Sequence, residues 1–380
     1  MDFDLTDAQR DARQALRALL KRECPIEYVR ECDEAERFPT ELFAKLAAAG
    51  WLGLPIPEAY GGSGGTCFDL TLFLEELAGH FEAAANIYYT TIVIAADALT
   101  HFGSEQQKRS LLPRLARGEL RFAFSLSEPG SGSDAASLRT RAVAEDDGWL
   151  INGQKMFCSC AQVADYILLM ARTDTEAPKH DGITMFLLDP KTKGVERRRL
   201  KKLGLKPMDL NEIFLGDVRI PKDAVIGQVN RGWRNVLKTL DYERCCLSAV
   251  NVGAAQSTLD KAISYTAQRE QFGQKIAQFQ LTKAKLADMQ MEIDAARLLL
   301  YRSAFLVDKG IPNPKESAMA NLFSSETYVR AALNGMRLMG GWGYLMEYDM
   351  QRHFRDSKLA EIGGGTSEIL RIVIARELGR

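Results

Sequence analysis

The chain lacks a charge excess of one sign, a long apolar run and grouped cysteines, and each absence excludes a class of protein. Its formal net charge is −1 at pH 7, which gives no electrostatic reason to bind nucleic acid. No apolar run approaches the roughly 18 residues of a membrane-spanning helix. The seven cysteines form neither a CxxC pair nor a Cys/His zinc pattern, so we expect no metal site.

The N-terminal sequence and the scattered cysteines also indicate the cellular compartment of the protein. The first residues, Met1–Asp4, are acidic and lack the basic and apolar blocks of a secretory signal. Scattered cysteines are typical of reduced thiols in the cytosol. The sequence therefore predicts a cytoplasmic protein, and its 380 residues allow two or three domains with sizeable cores.

The spacing of apolar residues divides the chain into three regions. Residues 1–120 have helical spacing and begin with a capping box at Thr6–Gln9. Residues 121–229 have short β-rich runs, in which Asn152–Gly153 predicts a two-residue hairpin turn. Residues 230–380 return to helical spacing and predict four helices. We expect a multi-domain α+β fold: an N-terminal α-helical domain, a middle β-barrel or sandwich, and a C-terminal four-helix bundle.

Two glycine-rich loops are candidate ligand sites. Gly363–Gly365 leads into a helix that Thr366 can cap. The free N–H groups at such a helix start favour an anion such as phosphate. Ser125–Asp134 follows a β-rich run and offers backbone N–H and hydroxyl groups to a phosphate or a ring edge. Either loop read alone is also compatible with an ordinary turn.

The loop Ser125–Asp134 closely resembles the first signature of the acyl-CoA dehydrogenase flavoproteins, with Ser125 in place of the usual small residue. The resemblance continues over nearly the whole chain. Gly53–Gly62 looks like the family's N-terminal helix–loop segment, and Gly340–Tyr344 fits its second signature. In that signature Arg337 stands where Gln is usual.

This resemblance implies FAD bound in a cleft between three domains. The β-domain would hold the isoalloxazine ring, with Leu126 and Ser127 at one edge, Phe157 against a face and Ser159 near N5. Ser133 would lie near the flavin pyrophosphate and the acyl carrier arm.

The resemblance also implies a homotetramer built from dimers, in which each subunit reaches a neighbour's flavin. The residues in that role would be Arg269, Phe272, Gln280, Arg337 and Gly341. A guanidinium at Arg337 could bind a phosphate, although a surface salt bridge is an equal alternative. Thr366 and Glu368 would serve the phosphate and adenosine end of FAD.

The implied reaction is α,β-dehydrogenation of an acyl thioester, in which a carboxylate removes the α-proton and FAD N5 accepts the β-hydride. Most members carry that carboxylate at the position of Gly364, which has none. A smaller subgroup, including isovaleryl- and long-chain acyl-CoA dehydrogenases, carries it in a Leu-Asp-x-Glu-Arg pattern, which Leu240–Arg244 matches. Glu243 is therefore the candidate base. The alternative is an exposed carboxylate paired with a neighbouring Lys or Arg.

Other residues would bind the substrate on this interpretation. Asp241 would contact the pantetheine arm, Arg244 would position the site, and the Gly364 N–H would donate to the thioester carbonyl. Ser133 would contribute from the β-domain. Coenzyme A and an acyl carrier protein both remain open as the thioester carrier.

Four other functions remain open. The same scaffold could serve an oxidase, a flavin monooxygenase or an enoyl-thioester reductase, which differ in how the reduced flavin reacts. A catalytically inactive FAD-binding scaffold is the alternative from another class, and the missing carboxylate at Gly364 keeps it open. An electron-transfer flavoprotein is the implied electron acceptor. Acyl chain length cannot be read from the sequence.

Overall fold

The computed structural model describes residues 4–379. Most of the acidic N-terminal segment, residues 1–3, lies outside that range. The predicted order of a helical region, a sheet region and a second helical region is confirmed. Among the described residues, no helix has both the length and the apolarity needed to cross a membrane.

The N-terminal region is helical, and the predicted Thr6–Gln9 capping box forms at its start. A π-helical segment, Tyr89–Val93, joins two of the helices. Such wide turns are frequent at functional sites. The α-helices of this region are α1 (Asp7–Glu23), α2 (Ile26–Glu34), α3 (Thr40–Ala48), α4 (Cys67–Tyr88), α5 (Ile94–Phe102) and α6 (Glu105–Ala116).

The middle region forms one eight-stranded sheet in the order β6-β7-β3-β2-β4-β5-β8, with β1 parallel to β4. Most of the other pairs are antiparallel. The strands are β1 (Phe122–Ser125), β2 (Arg141–Glu145), β3 (Gly148–Ser159), β4 (Tyr166–Arg172), β5 (Ile183–Leu188), β6 (Val195–Arg199), β7 (Leu210–Pro221) and β8 (Val225–Ile226).

The hairpin turn predicted at Asn152–Gly153 is wrong. Both residues lie inside β3, which pairs with β2 on one side and β7 on the other. The chain instead reverses between Glu145 and Gly148. Two flanking strands outweigh the local turn preference, and Gly153 marks a register shift in the β3–β7 ladder. A Cβ at Gly153 would lie 2.6 Å from Thr140 Oγ1, which explains a glycine there without a turn.

The C-terminal region is helical, as predicted, and in the described part of the chain it has two short helices, Gly341–Tyr344 and Met350–Ala360, beyond the four predicted ones. A short hairpin (β9, Glu270–Gln271; β10, Gln274–Lys275) follows its first helix. That helix, α7, packs against both α4 of the N-terminal region and the other bundle helices. The helices are α7 (Gly232–Gln268), α8 (Gln280–Asp308), α9 (Pro314–Met339), α10 (Gly341–Tyr344), α11 (Met350–Ala360) and α12 (Ser367–Leu378).

The three regions meet around the first half of α7. The segment Tyr89–Val93 contacts β1, and α5 contacts both β1 and α7. Because these elements share one apolar core, a polar side chain at this junction is shielded from water on several sides. Glu243 lies at this junction.

Candidate active site

Glu243 is held by two hydroxyl groups. Thr239 Oγ1, one turn earlier on α7, donates to Glu243 Oε1 at 2.8 Å. Tyr89, from the π-helical segment, donates its hydroxyl to Glu243 Oε2 at 3.2 Å. The side chain is only partly exposed. Each carboxylate oxygen therefore has one neutral donor, and the two donors fix the orientation of the group.

Burial is the main influence on the proton affinity of Glu243. It raises the pKa of this carboxyl to about 7, since a charged carboxylate loses hydration there. The hydrogen bonds from Thr239 and Tyr89 and the charge of Arg244 act in the opposite direction, while the charge of Asp97 raises the pKa further. A carboxylate with a near-neutral pKa is suited to general-base catalysis at physiological pH.

Leu247 fills the space beside Gly364, where a side chain would project. Gly364 has φ +70°, and a Cβ built on it would overlap Leu247 Cδ1. Leu247 lies one turn after Glu243 on α7, so the glycine loop and the Glu243 helix face the same region. The left-handed backbone thus disfavours a side chain at position 364, and a side chain there would also require the Cδ1 end of Leu247 to move.

Gly364→Ala is expected to destabilise the protein by about 1–2 kcal/mol, since alanine adds left-handed strain and the overlap with Leu247. Denaturant unfolding of the holoprotein at fixed concentration measures the loss. Gly130→Ala is the matched control, because a Cβ there meets nothing within 4 Å and no positive φ is required. Equal stability of the two variants would contradict the expected strain.

The substrate-side residues next to Glu243 form a buried polar cluster. Asp241 accepts hydrogen bonds from the Asn313 N–H at 3.1 Å and from Ser317 Oγ at 2.8 Å. Arg244 is buried, lies 3.6 Å from Asp241 and donates weakly to Ser317 at 3.4 Å. Its Nε has no hydrogen-bond partner among residues 4–379. The structure therefore places Asp241 and Arg244 together, with one guanidinium donor unused.

A buried ion pair fixes the loop that follows β1. Lys155 Nζ, fully buried, donates to the Leu126 carbonyl and to Glu128 Oε1, both at 2.9 Å. Burial lowers the pKa of Lys155 to about 8, although Glu128 opposes that shift. Glu128 also accepts from the N–H groups of Arg139 at 2.6 Å and Thr140 at 2.8 Å. These bonds hold Leu126 and Ser127 against β3.

The surface beside this loop fits a flat ring. Phe157 has a left-handed backbone (φ 61°), which is uncommon for a bulky residue, and 59% of its surface is exposed. It lies at a register shift of β3, with Ser159 partly buried two residues on. The hydroxyls of Ser125 and Ser131 are buried without a partner among the described residues. Exposed aromatic surface and unused buried hydroxyls both fit the flavin that the sequence predicted here.

The residues predicted to reach a partner's flavin lie at one end of the bundle. Arg269 and Phe272 follow α7, and Phe272 is 94% exposed with φ 53°. An α-helix rises about 1.5 Å per residue, so the end of α7 lies about 37 Å from Glu243. Arg337 forms no ion pair with any residue from 4 to 379. The set Arg269, Phe272, Gln280, Arg337 and Gly341 is exposed throughout.

The remaining predicted residues lie at the start of α12 and in the loop after β1. Thr366 caps α12, accepting from the Ile369 N–H at 3.3 Å, as the sequence predicts. Glu368 is exposed in the first turn of α12, where its own backbone N–H and then Thr366 lower its pKa. Ser133 is exposed in the loop after β1.

Sequence reasoning missed the contacts that four residues make in the site: Tyr89, Thr239, Lys155 and Leu247. Thr239 precedes Glu243 by four residues, so helical spacing alone could have paired them. Leu247 follows Glu243 at the same spacing. Tyr89 and Lys155 act across separate elements, which no local pattern reports.

Fold and site together define a three-domain enzyme that combines a near-neutral carboxylate with a loop suited to flavin. The family descriptions "Acyl-CoA dehydrogenase, N-terminal domain", "middle domain" and "C-terminal domain" match residues 6–119, 123–218 and 230–379.

Relatives agree with these matches over at least 96% of their length. The chain is 38% identical over 379 residues to the probable acyl-CoA dehydrogenase YngJ of Bacillus subtilis, covering 100% of both. It is 35% identical to the caffeyl-CoA reductase–Etf complex subunit CarC of Acetobacterium woodii, covering 96% of each. Among solved structures, butyryl-CoA dehydrogenase from Megasphaera elsdenii matches with TM-score 0.95 and 33% identity, covering 100% of both chains.

The chain belongs to the acyl-CoA dehydrogenase family. It is an FAD-dependent oxidoreductase that acts on CH–CH bonds.

Proposed function

We propose that this enzyme removes the α-proton of an acyl thioester with Glu243, as in the subgroup whose base lies on the first bundle helix. One observation carries the proposal: Glu243 is a partly buried carboxylate with a pKa of about 7, held by Thr239 and Tyr89. Gly364, where a carboxylate would otherwise stand, faces Leu247 on the same helix.

The two hydroxyls prepare Glu243 for proton transfer. Each donates to one oxygen, so the carboxylate keeps its orientation while a lone pair stays free to accept the α-proton. Neutralisation by that proton is favoured in a site that penalises charge. The backbone N–H of Gly364 would donate to the thioester carbonyl as negative charge develops on its oxygen.

FAD would be held by β-domain residues of the same chain, with Thr366 and Glu368 at its adenosine end. When bound, FAD supplies the acceptor for the β-hydride. Phe157 would pack on the ring and exclude water, and Lys155 would keep its edge in place by fixing Leu126 and Ser127. The cleft would lie between domains 1–120, 121–229 and 230–380. The ring-side set is Leu126, Ser127, Ser133, Phe157 and Ser159.

A partner subunit would complete the flavin site. The exposed set at the bundle end lies too far from Glu243 along α7 to share its cleft within one chain. The Arg337 guanidinium, which forms no ion pair within residues 4–379, and the largely exposed Phe272 suit a phosphate and an aromatic contact across a subunit interface. We infer a homotetramer built from dimers, with an electron-transfer flavoprotein as electron acceptor.

A second candidate function is reduction of an enoyl thioester. The relative CarC, at 35% identity over 96% of the chain, is a subunit of a caffeyl-CoA reductase–Etf complex. Reduction would use the same residues with the proton transfer reversed, so that protonated Glu243 gives a proton to the α-carbon. A near-neutral pKa serves both directions.

Anaerobic spectroscopy of the purified yellow holoenzyme tests both functions. A panel of saturated acyl thioesters, carried by coenzyme A or by acyl carrier protein, is expected to include one that bleaches the flavin. Enoyl thioesters added to the chemically reduced enzyme should restore colour if reduction is the physiological direction. No spectral change with any saturated or unsaturated thioester would overturn the assignment and favour a non-catalytic flavoprotein.

A further inference from the structure

The Thr239 hydroxyl lies within hydrogen-bond distance of two acceptors. Its Oγ1 is 3.0 Å from the carbonyl oxygen of Val236, one turn earlier on α7, and 2.8 Å from Glu243 Oε1, one turn later. A threonine hydroxyl has one hydrogen and two lone pairs, so it can donate to only one of these oxygens at a time. The direction in which this buried hydroxyl donates therefore depends on whether Glu243 can accept.

The ionised form of Glu243 accepts from both of its neighbouring hydroxyls. Thr239 donates to Oε1, and Tyr89 donates to Oε2 at 3.2 Å. The Val236 carbonyl needs no bond from Thr239 in this form, because it lies inside α7 and accepts from the N–H group four residues later. Every polar group of this set thus has a partner while the base is charged.

A proton on Oε1 also leaves every group with a partner. The Oε1 hydroxyl of Glu243 then donates to Thr239 Oγ1, and Thr239 turns its hydrogen to the Val236 carbonyl. Tyr89 continues to donate to Oε2, which is the carbonyl oxygen in this form. Threonine hydroxyls in helices commonly bond to a carbonyl one turn earlier, so this second position of the Thr239 hydrogen is an ordinary one.

The other oxygen of Glu243 lacks this arrangement. If Oε2 carried the proton and donated it to Tyr89, the hydrogen of Tyr89 would have no other acceptor in the part of the chain that the structure describes. Tyr89 is buried, and a buried hydroxyl without a partner is costly. The hydrogen-bond geometry therefore favours Oε1 over Oε2 as the protonated oxygen.

We propose that Thr239 is a positioning residue that reverses its hydrogen bond with Glu243 when the base takes up the α-proton, and that Oε1 keeps this proton. The proposal rests on the proposed function, because it takes Glu243 as the base. In the step itself the α-C–H bond breaks, its electron pair stays on the substrate, and the proton bonds to a free lone pair of Oε1. The new O–H group then turns to Thr239, away from the carbon that lost the proton.

Other groups influence Glu243 without taking part in this exchange. Among the described residues, the Glu243 carboxylate is hydrogen-bonded only to the two hydroxyls. Burial, the largest influence, raises the pKa of Glu243, and the bonds from the two hydroxyls lower it. The further titratable or charged groups that interact with it are Asp97 from α5 and Arg244 and Cys246 from α7. The variants below leave these three residues unchanged.

Thr239→Val replaces the hydroxyl with a methyl group of similar size. The ionised form of Glu243 loses a charge-assisted bond and the protonated form only a neutral one, so the acid dissociation constant of Glu243 should fall about threefold. Thr239→Ser keeps the hydroxyl and should restore the wild-type constant. Thr266→Val is the matched control and should leave the constant unchanged, because Thr266 is a buried threonine of α7 that likewise bonds to the carbonyl three residues earlier, at 3.1 Å.

Infrared difference titration of the holoenzyme measures the constant and identifies the protonated oxygen. The carbonyl band of protonated Glu243 is the band that Glu243→Gln lacks, and its midpoint is followed with pH. A hydrogen bond to a carbonyl lowers its stretching frequency, so Tyr89→Phe should raise this frequency by more than Thr239→Val does. An unchanged midpoint in Thr239→Val, or a band that Thr239→Val shifts at least as much as Tyr89→Phe does, would overturn the proposal.

The titration separates this proposal from the proposed function. If Glu243→Gln bleached the flavin at the wild-type rate, Glu243 would not be the base, yet the band shifts would still show which of its oxygens carries the proton. If Glu243→Gln were inactive while Thr239→Val titrated like wild type, only the role of Thr239 would fall. Thr239→Ala also lacks the hydroxyl and favours the helix, so it gives the same test if Thr239→Val folds poorly.

Discussion

Glu243→Gln is expected to slow anaerobic bleaching of the flavin by at least about a hundredfold, the scale of losing a general base. The amide keeps the shape of the carboxylate, so FAD should stay bound. Its oxygen can accept from one of the two hydroxyls of Thr239 and Tyr89, whereas its NH2 group must donate to the other. Rapid-mixing absorbance at the flavin band measures the rate, and the spectrum of the purified variant reports FAD content.

The wild-type rate should also depend on pH in a defined direction. The base works when deprotonated, and its pKa is raised to about 7. Below about pH 7 the bleaching rate should fall about tenfold per pH unit, and above that pH it should level off. If the fall of the bleaching rate at low pH is absent in Glu243→Gln, that pH dependence belongs to Glu243.

Glu361→Gln is the matched control for this prediction. Glu361 is a carboxylate that lies just before the glycine loop, and its contact with Lys358 is at 3.9 Å. Its variant should bleach at the wild-type rate. If Glu361→Gln lost activity and Glu243→Gln kept it, the base would lie in the loop and the helix assignment would be wrong.

Lys155→Met should lower the free energy of unfolding by about 3 kcal/mol, the scale of leaving a buried charge without its partner. Glu128 would keep two backbone donors but lose the ammonium, and the Leu126 carbonyl would lose its donor. Denaturant unfolding measures the loss, and FAD retention on dilution should fall as the loop loosens.

Two variants control the Lys155 experiment. Lys179→Met makes the same substitution in an exposed pair with Asp134 (46% and 61% exposed side chains), and should change stability by less than about 1 kcal/mol. Adding Glu128→Gln to Lys155→Met removes the unpaired charge and should restore part of the loss. Equal effects of Lys155→Met and Lys179→Met would show that burial of the pair contributes little.

The sequence determined the architecture because helix and strand periodicity repeat over many residues. Capping at Thr6 and Thr366 was also predictable, since a cap depends on residues three positions apart. The hairpin at Asn152–Gly153 failed because a turn preference is local, whereas strand pairing on both sides of β3 is not.

The candidate site was likewise predictable from the sequence only in part. Glu243 could be named from a five-residue pattern together with the missing side chain at Gly364. Its pKa could not, because burial and the charge of Asp97 arise from elements about 150 residues away along the chain. The hydroxyl of Tyr89 reaches Glu243 only because a π-helical turn packs beside α7.

The residue types of the site are therefore readable from the sequence: a carboxylate on a helix, a glycine loop without one, and a loop suited to flavin. The packing of Leu247 beside Gly364 and the contact by which Lys155 fixes the flavin-side loop are visible only in the folded chain. Steric exclusion and desolvation depend on atoms brought together from distant parts of the chain, and no local sequence pattern reports them.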